Sequence, residues 1–152
     1  MDKIRCKVNS DIRLQAIYPV VVRFNEVDSM GVVWHGNYAV YLEQAREEFC
    51  KKYGLTYLKD ILNNGYYAPV VKLDIEYKRI LKYTEDALVR ITYLPTLSPK
   101  IYFEYEIFLL NSKGEEEIIA KATSIQVFTD LNYNLVLENP DFYKEWKNKW
   151  IK

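Results

Sequence analysis

Asp28, Gly31 and His35 stand within one short stretch, in an order that could do chemistry. The run Val22-Arg23-Phe24 leads into the acidic loop Asn25-Glu26-Val27-Asp28-Ser29-Met30-Gly31, and a helical pattern begins beside His35, the only histidine of the chain. That order puts an acid, a tight turn and a fresh helix N-terminus together. A helix start carries unpaired amides and the positive end of the helix dipole, so it favours a nearby negative charge and holds a polarised oxygen. The combination suggests a carboxylate that takes part in chemistry beside amides that bind the reacting oxygen.

The elements that must position these residues follow from periodicity. Tyr18, Val20, Val22 and Phe24 alternate with Pro19, Val21 and Arg23, which predicts a strand over 16–25. Tyr38, Tyr41, Leu42, Ala45, Phe49 and Tyr53 recur at helical spacing and predict a long helix over 36–53, with Gly54 as its stop. A short helical piece over 57–62 ends at Asn63-Asn64-Gly65. The remainder reads as β: 66–80, bent near Pro69, then 87–97, 101–110 and 117–129, with Asn111-Ser112-Lys113-Gly114 as a hairpin turn. Ile101, Phe103, Tyr105, Ile107 and Leu109 alternate with Tyr102, Glu104, Glu106 and Phe108 in the clearest half-buried strand. Asn139-Pro140-Asp141 predicts a last helix over 140–151, with Asn139 as its cap and Phe142, Trp146 and Trp150 packed inward. Consecutive strands without helices between them imply an antiparallel meander, and one long helix must cover one face of it. The expected class is α+β, a single domain over 1–152 with residues 1–13 as a loose arm. An antiparallel sheet wrapped around a long central helix is the hotdog architecture.

Composition narrows the function. At 152 residues, 49% of them hydrophobic, the chain can fill one core. Lys+Arg and Asp+Glu both total 21, which argues against a dedicated nucleic-acid binder. Near-zero net charge gives little protection against self-association and is compatible with an oligomer. No apolar run is long enough for a membrane span and no signal-peptide pattern opens the sequence, so a cytoplasmic location is expected. Cys6 and Cys50 have no metal-type or CxxC spacing and read as free thiols in a reducing compartment. One histidine and no Cys/His cluster argue against a metal site, and no GxSxG elbow, Walker loop or dinucleotide glycine loop is present.

The motif Arg23, Asp28-x-x-Gly31-x-Val33-Trp34-His35-x-x-Tyr38, Tyr41-x-Glu43-x-Ala45-Arg46 resembles that of the 4-hydroxybenzoyl-CoA thioesterase family of hotdog proteins, including small acyl-CoA thioesterases of the Tol–Pal type. Weaker agreement continues through Tyr77-Lys78-Arg79 and Ala120-x-Ala122-Thr123, so the resemblance runs from about Val20 to Thr129. Two positions depart from the family pattern: Ile80 replaces a proline after the basic pair, and Val27 replaces a threonine before the acid.

The resemblance implies hydrolysis of an acyl-CoA thioester, with no cofactor beyond the CoA of the substrate and no metal. Asp28 would act as nucleophile, giving a mixed anhydride, or as base for water. Gly31 would let the backbone turn toward the ligand, and the His35 amide would bind the thioester oxygen. The His35 side chain is either a proton donor to the leaving thiolate or a polar residue at a helix start. Trp34 and Tyr38 would contact substrate; the spacing of Tyr38 and Tyr41 also fits plain core. Lys78, Arg79, Arg90 and Lys100 are candidates to meet the CoA phosphates. Glu43, the catalytic acid in some hotdog thioesterases, is explained here by a helical pair with Arg46. The expected assembly is a homodimer or homotetramer with ligands between subunits. Three alternatives stay open: an acyl-carrier-protein thioesterase, hydratase chemistry on the same fold, and a non-catalytic acyl-CoA-binding protein.

Overall fold

The computed structural model describes residues 14–151; the expected loose arm over 1–13 and Cys6 lie outside them. Strand β1 (Gln15–Val20) is followed by the long helix α1 (Tyr38–Tyr53). Next come β2 (Tyr66–Tyr67), β3 (Val70–Tyr77), β4 (Ala87–Leu94), β5 (Lys100–Leu110), β6 (Glu116–Val127), β7 (Thr129–Asp130) and the final helix α2 (Asp141–Trp150). Five strands form one antiparallel sheet in the order β1-β4-β5-β6-β3, while β2 pairs with β7.

α1 forms where the sequence places it because five of its six periodic residues, Tyr38, Tyr41, Leu42, Ala45 and Phe49, are buried along one stripe. Each large member stabilises the fold by about 2 kcal/mol through burial. The helix stops at Gly54, whose φ of 75° is open to glycine and whose amide donates back to the Cys50 carbonyl. The helix lies on the inner face of the sheet. Phe49 meets Phe103 edge-on at 4.9 Å, and the Arg46 guanidinium donates to the Tyr105 hydroxyl at 3.3 Å. Tyr105 in turn shares a 2.7 Å hydrogen bond with the fully buried Ser124 on β6. Helix, β5 and β6 are thus tied through one polar chain inside an apolar core.

Four features differ from the sequence reading. β1 ends at Val20 rather than 25: the chain turns at Phe24–Glu26, so Phe24 leaves the apolar face and is 78% exposed. β3 does not form a hairpin with β4 but sits at the far edge beside β6, so only β4-β5-β6 is a true meander. Phe108, expected outward, is buried because the β5–β6 register shifts after Ile107 and the Arg90 guanidinium covers its ring at 4.5 Å. Finally, Pro140 takes the cap position of α2, and the Asn139 side chain instead bridges the Leu97 carbonyl and the Lys147 ammonium.

α2 closes the sheet end that holds the start of β5. Tyr143 and Trp146 are buried, Phe142 and Trp150 partly so. The Tyr143 hydroxyl donates to the Lys100 carbonyl at 2.7 Å and lies 2.6 Å from that of Tyr93; Trp146 Nε1 donates to the Tyr53 carbonyl at 2.7 Å. Lys147, half withdrawn from water, donates to the Thr96 and Ser98 carbonyls, and its burial lowers the ammonium pKa to about 8. Among the described residues no helix is long and apolar enough to cross a membrane.

Candidate active site

The Asp28 loop is a small hairpin. The Asp28 amide donates to the Val32 carbonyl at 2.9 Å, and the Gly31 amide returns to the Asp28 carbonyl at 3.0 Å. Gly31 sits at φ 76°, a conformation that strains any side chain with a Cβ, so the tight tip expected of this glycine is present. The Asp28 carboxylate is exposed and accepts the Met30 amide at 2.8 Å. This local bond turns the acid across the tip of the loop and leaves its second oxygen without a bond among the described residues.

Two clasps hold this loop. Glu26 ties it to the helix start. Its carbonyl accepts the Trp34 amide at 3.0 Å and the Asn37 side chain at 2.8 Å, while its carboxylate accepts the Arg23 amide at 2.7 Å and the Tyr41 hydroxyl at 3.1 Å. Burial and the neighbouring Glu26 carboxylate raise the Tyr41 phenol well above its usual value, so it stays a neutral donor. The second clasp is the segment over 78–86, which carries the chain from β3 at one edge to β4 beside the other. Leu81 accepts the Val33 amide at 2.8 Å, and the Tyr83 amide donates to the Gly31 carbonyl at 3.2 Å. A β3–β4 hairpin would have left the loop without this second support.

The helix start also differs in detail. The residues His35–Asn37 form a tight 3-10 turn, and α1 begins only at Tyr38. Among the described residues, no backbone acceptor takes the amide of His35 or Gly36. Trp34 is 53% exposed and folds its ring back over this turn. A Cβ on Gly36 would lie 2.2 Å from that ring, so the glycine is what lets the indole rest there. The Trp34 and His35 rings are 4.9 Å apart.

Beside the turn lies a cleft of about 330 Å³ walled by Val33, His35, Tyr38, Tyr77, Lys78, Arg79 and Ile80. It gathers four of the expected site residues: His35, Tyr38, Lys78 and Arg79. Asp28 and Gly31 occupy the neighbouring loop tip and do not line it; Trp34 flanks it on the His35 side. Tyr38 is buried in the core, as its spacing predicts, and its ring also forms a cleft wall; burial raises its phenol pKa.

The basic residues divide. Arg79 is held by Glu85 at 3.0 Å and Glu117 at 3.1 Å, Lys78 is paired with Glu76, and Arg90 is bound between Glu106 and Glu116. Lys100 lies elsewhere. It pairs with Val127 on β6 whereas Tyr77 pairs with Ala120, so it stands seven positions along that strand, about 23 Å from the cleft end. The expected Glu43–Arg46 pair is absent among the described residues: Arg46 turns inward to Tyr105, and Glu43 stays exposed. Three residues that organise the site were given no role from the sequence, namely Glu26, Asn37 and Tyr77. The signal for Tyr77 was its place at a strand end directly before Lys78-Arg79; Glu26 and Asn37 meet at the Glu26 backbone carbonyl, and the Glu26 carboxylate reaches Tyr41 fifteen residues on, contacts that no spacing reveals.

Comparison with known proteins agrees with this architecture. The family model described as the thioesterase-like superfamily matches residues 22–147. The Bacillus subtilis protein named "Putative acyl-CoA thioesterase YneP" is 32% identical over 133 residues, covering 88% of this chain and 93% of that one. Among solved structures, the DHNA-CoA thioesterase from Staphylococcus aureus is 28% identical with a TM-score of 0.76, over 89% of each chain. The 4-hydroxybenzoyl CoA thioesterase from Pseudomonas sp. strain CBS-3 shares the fold at 19% identity, with a TM-score of 0.74 over 87% of this chain and 98% of that one. With its motif-bearing loop clasped to the start of a long helix, and that helix laid on an antiparallel sheet, the chain belongs to the thioesterase-like superfamily of hotdog-fold enzymes.

Proposed function

We propose that this protein hydrolyses an acyl-CoA thioester to a carboxylic acid and free CoA, with Asp28 as the reacting carboxylate. The observation that carries the reading is the clasp of Glu26, which hydrogen-bonds the Asp28 loop to the His35 turn beside an aromatic cleft. In this reading the thioester oxygen rests on the open amides of the His35 turn, where developing negative charge is stabilised. Asp28 attacks the carbonyl carbon as nucleophile or removes a proton from the attacking water. As nucleophile, Asp28 forms an acyl anhydride while the C–S bond breaks, and water then cleaves that anhydride to free the acid and restore the carboxylate; as base, it delivers water to the carbonyl carbon and the C–S bond breaks from the adduct. In both routes the thiolate takes up a proton and leaves as free CoA. His35 stands at the cleft wall where a proton donor to the thiolate would serve, and Lys78 lies beside it for a CoA phosphate. Fit to the acyl group falls to Trp34, Tyr38 and Tyr77.

The test is release of free thiol from short, long and aromatic acyl-CoAs by wild type and Asp28→Asn. The amide oxygen of asparagine can still accept the Met30 amide, so the loop should keep its shape. Turnover should fall about 10³-fold with the fold intact. Undiminished turnover in the variant would remove Asp28 from the mechanism. Release only from an acyl carrier protein would move the reading to a carrier-borne substrate, and ligand binding without release from either would move it to a binding protein.

We also propose a homodimer through β3. This strand is an edge of the sheet, and Val70, Val71, Leu73 and Tyr77 on it are exposed. Unpaired edges of this kind invite a second strand. Sizing at micromolar concentration should give a dimer or larger; a folded monomer would exclude a site shared between subunits.

A further inference from the structure

The Tyr77 hydroxyl donates to the His35 carbonyl at 2.8 Å. That carbonyl already accepts the Tyr38 amide, so both of its acceptor directions are used. It belongs to the peptide group whose other end is the Gly36 amide. A peptide whose oxygen accepts hydrogen bonds is polarised, and its N–H becomes a better donor. The same contact fixes the plane of that peptide, and hence the direction of the amides on either side of it.

Tyr77 is well placed to act as a fixed post. It is the last residue of β3 and pairs with Ala120, and the next two amides, of Lys78 and Arg79, both donate to the Ile119 carbonyl at 2.9 and 3.0 Å. Its ring stands edge-on to Tyr38 at 5.0 Å and to His35 at 6.4 Å. The register of the sheet therefore sets the position of the hydroxyl, and the hydroxyl sets the turn. A cleft wall alone would need only the ring; the hydroxyl has its own target in the backbone.

We propose that Tyr77 is a positioning residue, whose hydroxyl orients and polarises the His35–Gly36 peptide so that the amides of this turn meet the thioester oxygen. The inference rests on the functional reading above. Its test is Tyr77→Phe, which keeps the ring, with Tyr77→Leu beside it. Loss of orientation at a reacting centre should lower kcat about 10-fold in both variants. KM should stay within about twofold in Tyr77→Phe and rise only in Tyr77→Leu, where the wall is lost as well.

A second measurement needs no substrate. The chain has five glycines, so a sample labelled with ¹⁵N-glycine gives a readable spectrum, and the Gly36 signal is identified by its absence in Gly36→Ala. Loss of the hydrogen bond in Tyr77→Phe should move the Gly36 amide signal upfield while the other four glycines hold. Unchanged kcat, or a Gly36 signal that does not move, would overturn the proposal. So would a change confined to KM, which would make Tyr77 a wall only. Wild-type protein that hydrolyses no acyl-CoA would end the functional reading, and the glycine spectrum would then decide the contact on its own.

Discussion

The two ends of α1 use the same residue types for opposite purposes. At its C-terminal end, α2 seals the core: Tyr143 has no exposed surface, its hydroxyl meets Lys100 and Tyr93, and burial holds its phenol far above the ordinary range. At the N-terminal end, Tyr77 is 46% exposed and its hydroxyl reaches the carbonyl of the His35 turn. Both tyrosines donate to a backbone carbonyl at about the same distance. One contact closes a gap between layers, and the other shapes a turn whose own amides are left open. Aromatic residues therefore seal one end of the helix and, at the other, frame a turn whose His35 and Gly36 amides have no backbone acceptor among the described residues. The prediction is a division of labour, in which substitutions at the sealed end change stability and those at the open end change turnover.

The largest expected effect on that division comes from Asp28→Asn. The roughly 10³-fold loss of turnover should come with no change in the urea midpoint, because the carboxylate is exposed and its one local bond survives. A parallel loss of stability would mean that the acid is a structural cap and would break the contrast. At the sealed end, Trp146→Ala removes a buried ring that stacks on Tyr143 and meets Tyr93 edge-on, and it leaves the Tyr53 carbonyl without its donor. Stability should fall by about 3 kcal/mol in chemical denaturation, while kcat per folded molecule stays at the wild-type level. The smallest effect should come from Gly36→Ala. The new methyl group would displace the Trp34 ring outward, which an exposed side chain can accommodate, so stability should hold. If the indole contacts substrate, KM should rise about 10-fold, equivalent to about 1.4 kcal/mol. An unchanged KM would place Trp34 outside the binding surface and sharpen the boundary of the site.

The parts legible in the sequence were those governed by a local period or a local conformational demand. α1 was readable because its apolar residues recur on one stripe and Gly54 stops it, and β5 because it alternates almost throughout. The Asp28–Gly31 turn was readable because its last position takes a positive φ, which glycine adopts without strain. Less legible was whatever depended on a distant neighbour. Arg46 was assigned to Glu43, one turn away on the helix, but a half-buried guanidinium turned toward the sheet gains more from the Tyr105 hydroxyl than from an exposed carboxylate in water. Lys100 was grouped with Lys78 and Arg79 as a strand-end cation, and the antiparallel register sends it to the opposite end of β5.

Strand–helix order, the family motif and the acid, turn and helix start that could do chemistry are written in the order of the residues. Periodicity and turn geometry are short-range properties, so a few residues suffice to specify them. Packing of the whole chain is what puts β3 at the far edge, passes the segment over 78–86 against the Asp28 loop, and lets Glu26 and Tyr77 hold the His35 turn from two sides. Those relations run through backbone carbonyls and strand register, which any side chain of suitable length could reach, so they become fixed only when the core packs.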